Sequence, residues 1–227
     1  MNDIFQPKEK RLGVIPSAGK GSRWGGYYKE LLPIGNRRWL IDRAVHSMYF
    51  GGAEKVLVVS NPEKIGVHAK QLSKYIKVFF STQRLHRDVY GAVYESLGFA
   101  KDINLFAMPD TIYPADCFKR DFSSSYFWLG CFETDEPERF GVLYEDKIHD
   151  KCEDFKGTIQ NAWGVLVWHK KVADYWLSQD IKTNHDAINM AMKWFGYKTF
   201  KLDYYYDIMN WEKYVEFISK SDLISCT

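Results

Sequence analysis

The sequence predicts an α/β protein, in which a mostly parallel sheet is covered by helices on both faces and then continues into a mixed or antiparallel extension. Two patterns carry that expectation. Short apolar runs alternate with longer amphipathic stretches through the first half of the chain, as in successive strand and crossover-helix units. After Pro114 three apolar runs follow one another with no long helix between them, which suits antiparallel or mixed pairing. Strands are expected at residues 12–18, 55–60, 76–81 and 104–108, and later at 126–132, 140–144, 162–168 and 199–202. Apolar residues at spacings of three and four place crossover helices at 39–50, 65–72 and 89–99. Helical patterns return at 170–177, 187–195 and 211–219. No internal repeat, low-complexity tract or Pro/Gly/Ser linker interrupts the chain, so residues 1–227 are expected to form a single domain.

Composition narrows the function classes. The 227 residues are 46% hydrophobic and 26% charged, enough to bury a sizeable core. Lys and Arg number 31 against 29 Asp and Glu, and no dense basic run stands out, so nucleic acid is not an expected partner. No apolar stretch reaches the roughly 18 residues of a membrane span, and the polar start MNDIFQPKEK lacks the apolar segment of a signal peptide. A cytoplasmic protein without a membrane partner is the expectation. Cys117, Cys131, Cys152 and Cys226 form no C-x-x-C pair and no zinc spacing, and are read as free thiols. The six histidines show no ligand spacing on one helix face.

The first strand runs into Ser17-Ala18-Gly19-Lys20-Gly21-Ser22-Arg23-Trp24-Gly25-Gly26, followed by Lys29-Glu30-Leu31-Leu32-Pro33-Ile34. Glycines let backbone amides approach an anion, and Lys20, Arg23 and Lys29 bring charge that neutralises phosphates. This is not a Walker A loop, because Gly13 is one residue too early and Gly21 occupies the hydroxyl position. It is not the dinucleotide fingerprint either, since Trp24 stands where the third glycine belongs. A site that holds phosphates needs charge screening, usually a divalent cation on oxygen ligands, which directs attention to carboxylates at strand ends. Asp110 lies just beyond the apolar run 104–108, where α/β sheets open their ligand crevice. Asp207 precedes Asn210, which is placed to cap the helix at 211–219. Asp203 nearby reads as a solvated strand-end carboxylate.

Taken together, the strand, the glycine loop with Ser-Arg and the Lys-Glu-Leu-Leu-Pro-Ile stretch resemble the signature of sugar-phosphate nucleotidyltransferases, typified by glucose-1-phosphate thymidylyltransferases. That family carries G-G-x-G-T-R and then K-x-L-L-P-I; Gly19, Gly21, Ser22, Arg23, Lys29, Leu31, Leu32, Pro33 and Ile34 match, whereas Ala18 and Trp24 depart. The resemblance continues through Phe140-Gly141-Val142-Leu143, through Asp150-Lys151 with Cys152 in place of the family's proline, and through His185-Asp186-Ala187-Ile188-Asn189. Near the end, Asp207-Ile208 resembles the family's late W-x-D-[IT]-G-T element, with Met209 in place of its glycine.

The resemblance implies a Rossmann-like three-layer nucleotidyltransferase fold with a mixed, mostly parallel central sheet. It implies that a nucleoside triphosphate binds the loop at Ala18, Gly19, Lys20, Gly21 and Ser22. Arg23 and Lys29 would act on the departing pyrophosphate and the transferred phosphate, and Asp110 with Asp207 would hold Mg2+. Gln83 would read a pyrimidine, with UTP or dTTP ahead of CTP. Lys151 would meet the phosphate of a sugar 1-phosphate or similar acceptor, with Lys156 as the rival placement. A cytidylyltransferase acting on a small non-sugar acceptor, and a non-catalytic nucleotide or sugar-phosphate sensor, are the alternatives.

Overall fold

The computed structural model describes residues 9–19, 21, 24–35, 38–84, 89–151 and 154–219. Lys20, Ser22, Arg23, Cys152 and Cys226 lie outside the described residues. In chain order the strands are β1 (Arg11–Ser17), β2 (Lys55–Ser60), β3 (Val78–Thr82), β4 (Ile103–Ala107), β5 (Thr111–Ile112), β6 (Phe127–Thr134), β7 (Gly141–Tyr144), β8 (Lys147–Asp150), β9 (Ile159–His169), β10 (Lys198–Lys201) and β11 (Tyr206–Asp207). The helices are α1 (Leu40–Phe50), α2 (Ile65–Gln71), α3 (Val89–Leu97), α4 (Lys170–Leu177), α5 (Asn184–Phe195) and α6 (Trp211–Ser219).

The main sheet has the order β10-β6-β9-β4-β1-β2-β3, with the β7–β8 hairpin attached to β9. β1 pairs in parallel with β2 and β4, and β2 with β3, while β9 runs antiparallel between β4 and β6. The central strands are near-continuous apolar runs because both faces are covered. Side chains of alternate residues leave a strand on opposite faces. Leu12, Val14, Leu57, Val59 and Phe106 therefore enter one core with Tyr90, Val93, Trp168, Trp176 and Ile188 from the α3, α4 and α5 side. Ile15, Val56, Val58 and Leu105 enter the other, packed on Ile41, Val45 and Met48 of α1 and on Phe118 and Phe122. The result is the three-layer α/β arrangement that the alternating runs predict.

The predicted elements coincide with the observed ones to within a few residues, and the differences have local causes. α5 begins at Asn184 rather than 187 because Thr183 caps it: its Oγ1 accepts the Asp186 N–H at 3.2 Å and donates to Asp186 Oδ2 at 2.6 Å. β8 carries a single apolar residue, Ile148, and escapes a search for apolar runs. Its pairing with β7 is fixed by the two-residue turn Glu145-Asp146, both at positive φ, a type I′ geometry that matches strand twist. The β5 and β11 pair is too short for any periodicity. The expected cap is present, since Asn210 Oδ1 accepts the Lys213 N–H at 2.9 Å. Cys117 and Cys131 are buried free thiols. Among the described residues no helix is long and apolar enough to cross a membrane.

A third, smaller apolar cluster joins Trp24, Leu32, Ile34, Leu40, Ile112, Ile208 and Phe217. It fastens α6 over the segment that follows the glycine loop, helped by the Tyr214 hydroxyl donating to Pro33 O at 2.6 Å. In the middle of β6, Gly130 has no room for a side chain: a Cβ there would abut Val165 and lie 2.9 Å from the Phe200 ring. Gly130→Ala should therefore destabilise the protein by about 1–3 kcal/mol, read as a lower urea midpoint with an unchanged m-value.

Candidate functional site

The carboxyl ends of β1, β2 and β4 open on the same side of the sheet, the usual place for a ligand crevice in such folds. From β1 the chain enters a loop whose tight turn depends on Gly21. This residue has φ +62°, its carbonyl accepts the Trp24 and Gly26 N–H groups at 2.9 and 3.3 Å, and a Cβ on it would strike the Tyr27 carbonyl. The chain then forms a short 3-10 turn, Lys29–Leu31, which delivers Lys29 into the crevice.

There Lys29 Nζ forms an ion pair with Asp110 Oδ2. Asp110 is 4% exposed, and its Oδ1 is buried without a hydrogen-bond partner. Asp207 reaches the same place from the far end of the chain. β11 pairs antiparallel with β5 in the register Asp207↔Thr111, and the Ile208 N–H donates to Asp110 O at 3.2 Å. This two-residue ribbon sets the carboxylates side by side. Burial and the neighbouring negative charge of Asp110 push the Asp207 pKa up, against the pull of Lys29 and Arg139. For Lys29 burial alone would lower the pKa, but Asp110, assisted by Asp207 and Glu30, outweighs it and leaves the ammonium held above its usual value.

Two cavities meet at this ion pair. One, of about 370 Å³, is lined by Ala18, Gly19 and Gly21 of the loop together with Gln83, Lys29, Asp110 and Lys151. The other, of about 360 Å³, is lined by Lys29, Asp110, Asp207, Arg139 and Lys151, with Trp163, Thr183, Asn184 and His185 on its far wall. Gln83 continues from β3, its N–H donating to Ser60 O at 2.9 Å. Lys151 follows the β7–β8 hairpin at φ +50°, its N–H donating to Phe140 O at 3.1 Å, and it belongs to both linings, whereas Lys156 belongs to neither. Asp203 is exposed and lines neither cavity. The arrangement thus joins Lys29, Asp110, Asp207, Gln83, Lys151 and the described loop residues around one crevice.

Among the described residues no cluster of three or more His, Cys, Asp or Glu side chains could hold a metal. Two adjacent carboxylates, one with an unpartnered buried oxygen, nevertheless have the donor chemistry for a hard cation such as Mg2+, which takes one or two protein carboxylates and completes its shell with waters and substrate phosphates.

The sequence reading missed Arg139. It sits in the short turn Pro137–Arg139, donates from Nη2 to Asp207 Oδ2 at 2.8 Å, pairs with Glu136, and lies over the Phe140 ring. An arginine directly before the Phe140-Gly141-Val142 strand was the available signal. The buried contacts of His68 with Glu30 and Ser60 were also missed, because spacing along one helix says nothing about partners on other elements.

Comparison with known proteins adds a likeness of fold. No protein-family model and no curated protein matches the chain. Among solved structures, a candidate glucose-1-phosphate thymidylyltransferase from Bacillus anthracis, determined in complex with sucrose, superposes with a TM-score of 0.81. The match covers 93% of this chain and 95% of that one at 18% identity. The chain therefore has the Rossmann-like nucleotidyltransferase fold, with its mixed, mostly parallel central sheet.

The electrostatics make a direct prediction. Replacing Asp110→Asn removes the like charge beside Asp207 and the main counter-charge of Lys29, so both pKa values should fall. Carboxyl and ammonium titrations followed by NMR on side-chain-labelled protein would check it; an unmoved Asp207 titration would mean that the Asp110 charge does not contribute to its value.

Proposed function

We propose that the protein is a nucleotidyltransferase that moves a nucleoside monophosphate from a pyrimidine nucleoside triphosphate to a sugar 1-phosphate or similar phosphorylated acceptor, with release of pyrophosphate. The observation that carries this reading is the Lys29–Asp110 ion pair, flanked by Asp207, on the wall shared by a glycine-loop cavity and a second cavity that also reaches Lys151. A reaction joining two phosphorylated molecules needs two adjoining sites with charge compensation where they meet.

On this reading the triphosphate occupies the cavity at Ala18, Gly19 and Gly21, with Lys20 and Ser22 completing the loop, and Gln83 offers its carboxamide to the pyrimidine edge. The acceptor lies in the second cavity, where Lys151 holds its phosphate. An acceptor phosphate oxygen attacks the α-phosphorus in line, the new P–O bond forms as the bond to pyrophosphate breaks, and no covalent enzyme intermediate is required. Lys29 neutralises charge on the transferred group, Arg23 meets the charge that develops on the leaving pyrophosphate, and catalysis comes from positioning and charge neutralisation. Magnesium held by Asp110 and Asp207 would neutralise and orient the phosphates.

A screen of UTP, dTTP, CTP, ATP and GTP against sugar 1-phosphates and small non-sugar phosphates, read as magnesium-dependent pyrophosphate release, tests the proposal. UTP or dTTP should lead. A CTP preference with a non-sugar acceptor would favour the cytidylyltransferase alternative, and triphosphate binding without release would indicate a sensor. Asp110→Asn and Asp207→Asn should each remove most turnover, and full magnesium-dependent activity in both would overturn the metal assignment.

The acceptor side has its own measurement. Lys151→Ala should raise the apparent KM for the acceptor on the order of 10-fold or more, the scale of a lost charged hydrogen bond, while Lys156→Ala leaves it unchanged. The opposite result would transfer the role to Lys156.

A further inference from the structure

A second concentration of buried charge, which the reaction scheme above does not use, adjoins the glycine-loop cavity, whose lining includes Ser17, Glu30 and Lys64. Glu30, Lys64 and His68 are 4%, 1% and 0% exposed. One carboxylate oxygen, Glu30 Oε1, is met by Lys64 Nζ at 2.7 Å, Ser17 Oγ at 3.0 Å and His68 Nε2 at 3.1 Å. His68 Nδ1 in turn lies 2.9 Å from Ser60 Oγ. Burial opposes ionisation of Glu30, but the His68 hydrogen bond and the Lys64 charge outweigh it and bring its pKa down to about 2. Since a carboxylate can only accept, His68 Nε2 carries a proton toward it.

The cluster ties the turn after the glycine loop to the carboxyl ends of the paired strands β1 and β2 and to α2. Ser17 ends β1, Ser60 ends β2, Lys64 precedes α2, His68 lies within α2, and Glu30 is in the 3-10 turn after the glycine loop. Asn61 adds a tie, donating from Nδ2 to Ala18 O at 3.1 Å while its Oδ1 accepts the Lys64 N–H at 2.9 Å. The Lys64 ammonium also lies 4.8 Å from the centre of the Tyr28 ring. Both ends of the glycine loop, Ser17-Ala18 before it and Tyr28 to Glu30 after it, are thus fastened to the junction of β2 and α2. Lys29 sits between Tyr28 and Glu30.

An ion pair this deep contributes little net stability, because desolvation offsets its attraction and apolar side chains of similar size hold elements together as well. What apolar packing does not supply is a fixed direction for the residues next to Glu30. We propose that Lys64 and His68 are positioning residues for nucleotidyl transfer: by clamping Glu30 they preset Lys29 against Asp110 before the triphosphate arrives. The proposal rests on the nucleotidyltransferase reading given above.

The test compares Lys64→Met, Lys64→Arg and the double variant Glu30→Gln/Lys64→Met with the wild type. Lys64→Met strands a buried carboxylate and should lower the thermal midpoint, whereas the double variant removes both charges and should regain it. In that double variant kcat for pyrophosphate release should remain down by about 10-fold or more, with the KM for the triphosphate little changed. Without substrate, amide hydrogen exchange over residues 24–34 should be faster while the rest of the chain keeps its protection, and Lys64→Arg should recover most of kcat. A double variant with wild-type kcat and unchanged exchange at 24–34, or one whose exchange rises evenly along the chain, would overturn the proposal. Should the double variant fail to fold, Ser60→Ala, which removes only the hydroxyl behind His68, should give the same local exchange change and a smaller fall in kcat; no change in either would overturn it. Wild-type protein that releases no pyrophosphate from any triphosphate overturns the reaction reading, whereas the exchange measurement decides the clamp by itself.

Discussion

Two neighbouring carboxylates, Asp110 buried and Asp207 half-buried, repel one another, and the crevice is organised around that repulsion. Asp110 and Asp207 are adjacent because the β5–β11 ribbon leaves them no alternative. Each is answered by a cation from a different part of the chain, Lys29 for Asp110 and Arg139 for Asp207. Take away either cation and a partly buried negative charge is left uncompensated, at a cost far greater than the net worth of the pair. The glycine-loop turn, the turn before β7 and the ribbon therefore have to be in register together. Even with both cations in place the Asp207 pKa stays raised, first by burial and then by the charge of Asp110.

The framework was legible in the sequence because it obeys simple periodicities. β2 reads Lys-Val-Leu-Val-Val-Ser, with every residue after the first buried, and α1 and α4 carry their apolar residues at helical spacing. What was not legible shares one property: its meaning depends on a partner distant in sequence. Ile148 marks β8 only because the Glu145-Asp146 turn folds the strand back on β7. Arg139 is one more charged residue until Asp207, 68 positions on, is placed beside it. Glu30, Lys64 and His68 would each be assigned to the surface by residue type, and they are interior because each satisfies another.

The site residues divide along the same line. Gln83, Lys151, Asp110 and Asp207 were named from motifs, and the fold gathers all four around one crevice. Motifs report short stretches of chain in which several residues act together. Their supports do not form motifs. The ties from Asn61 to Ala18 and from Lys64 to Glu30 span loops and elements, and only the folded chain displays them.

The separation between the main sheet and the β5–β11 ribbon has a consequence for the order in which the molecule becomes complete. All strands of the main sheet have been supplied once the chain has passed Lys201, the end of β10. Asp207 and the helix that seals Trp24, Leu32 and Ile34 come afterwards. During vectorial synthesis, where folding proceeds from the amino terminus, a sheet with both its cores can therefore exist while the crevice still lacks its second carboxylate. The main sheet and the crevice are completed at different moments of the chain's emergence, so a product ending between β10 and β11 would contain every strand of the sheet and the Lys29–Asp110 pair but lack Asp207 and α6.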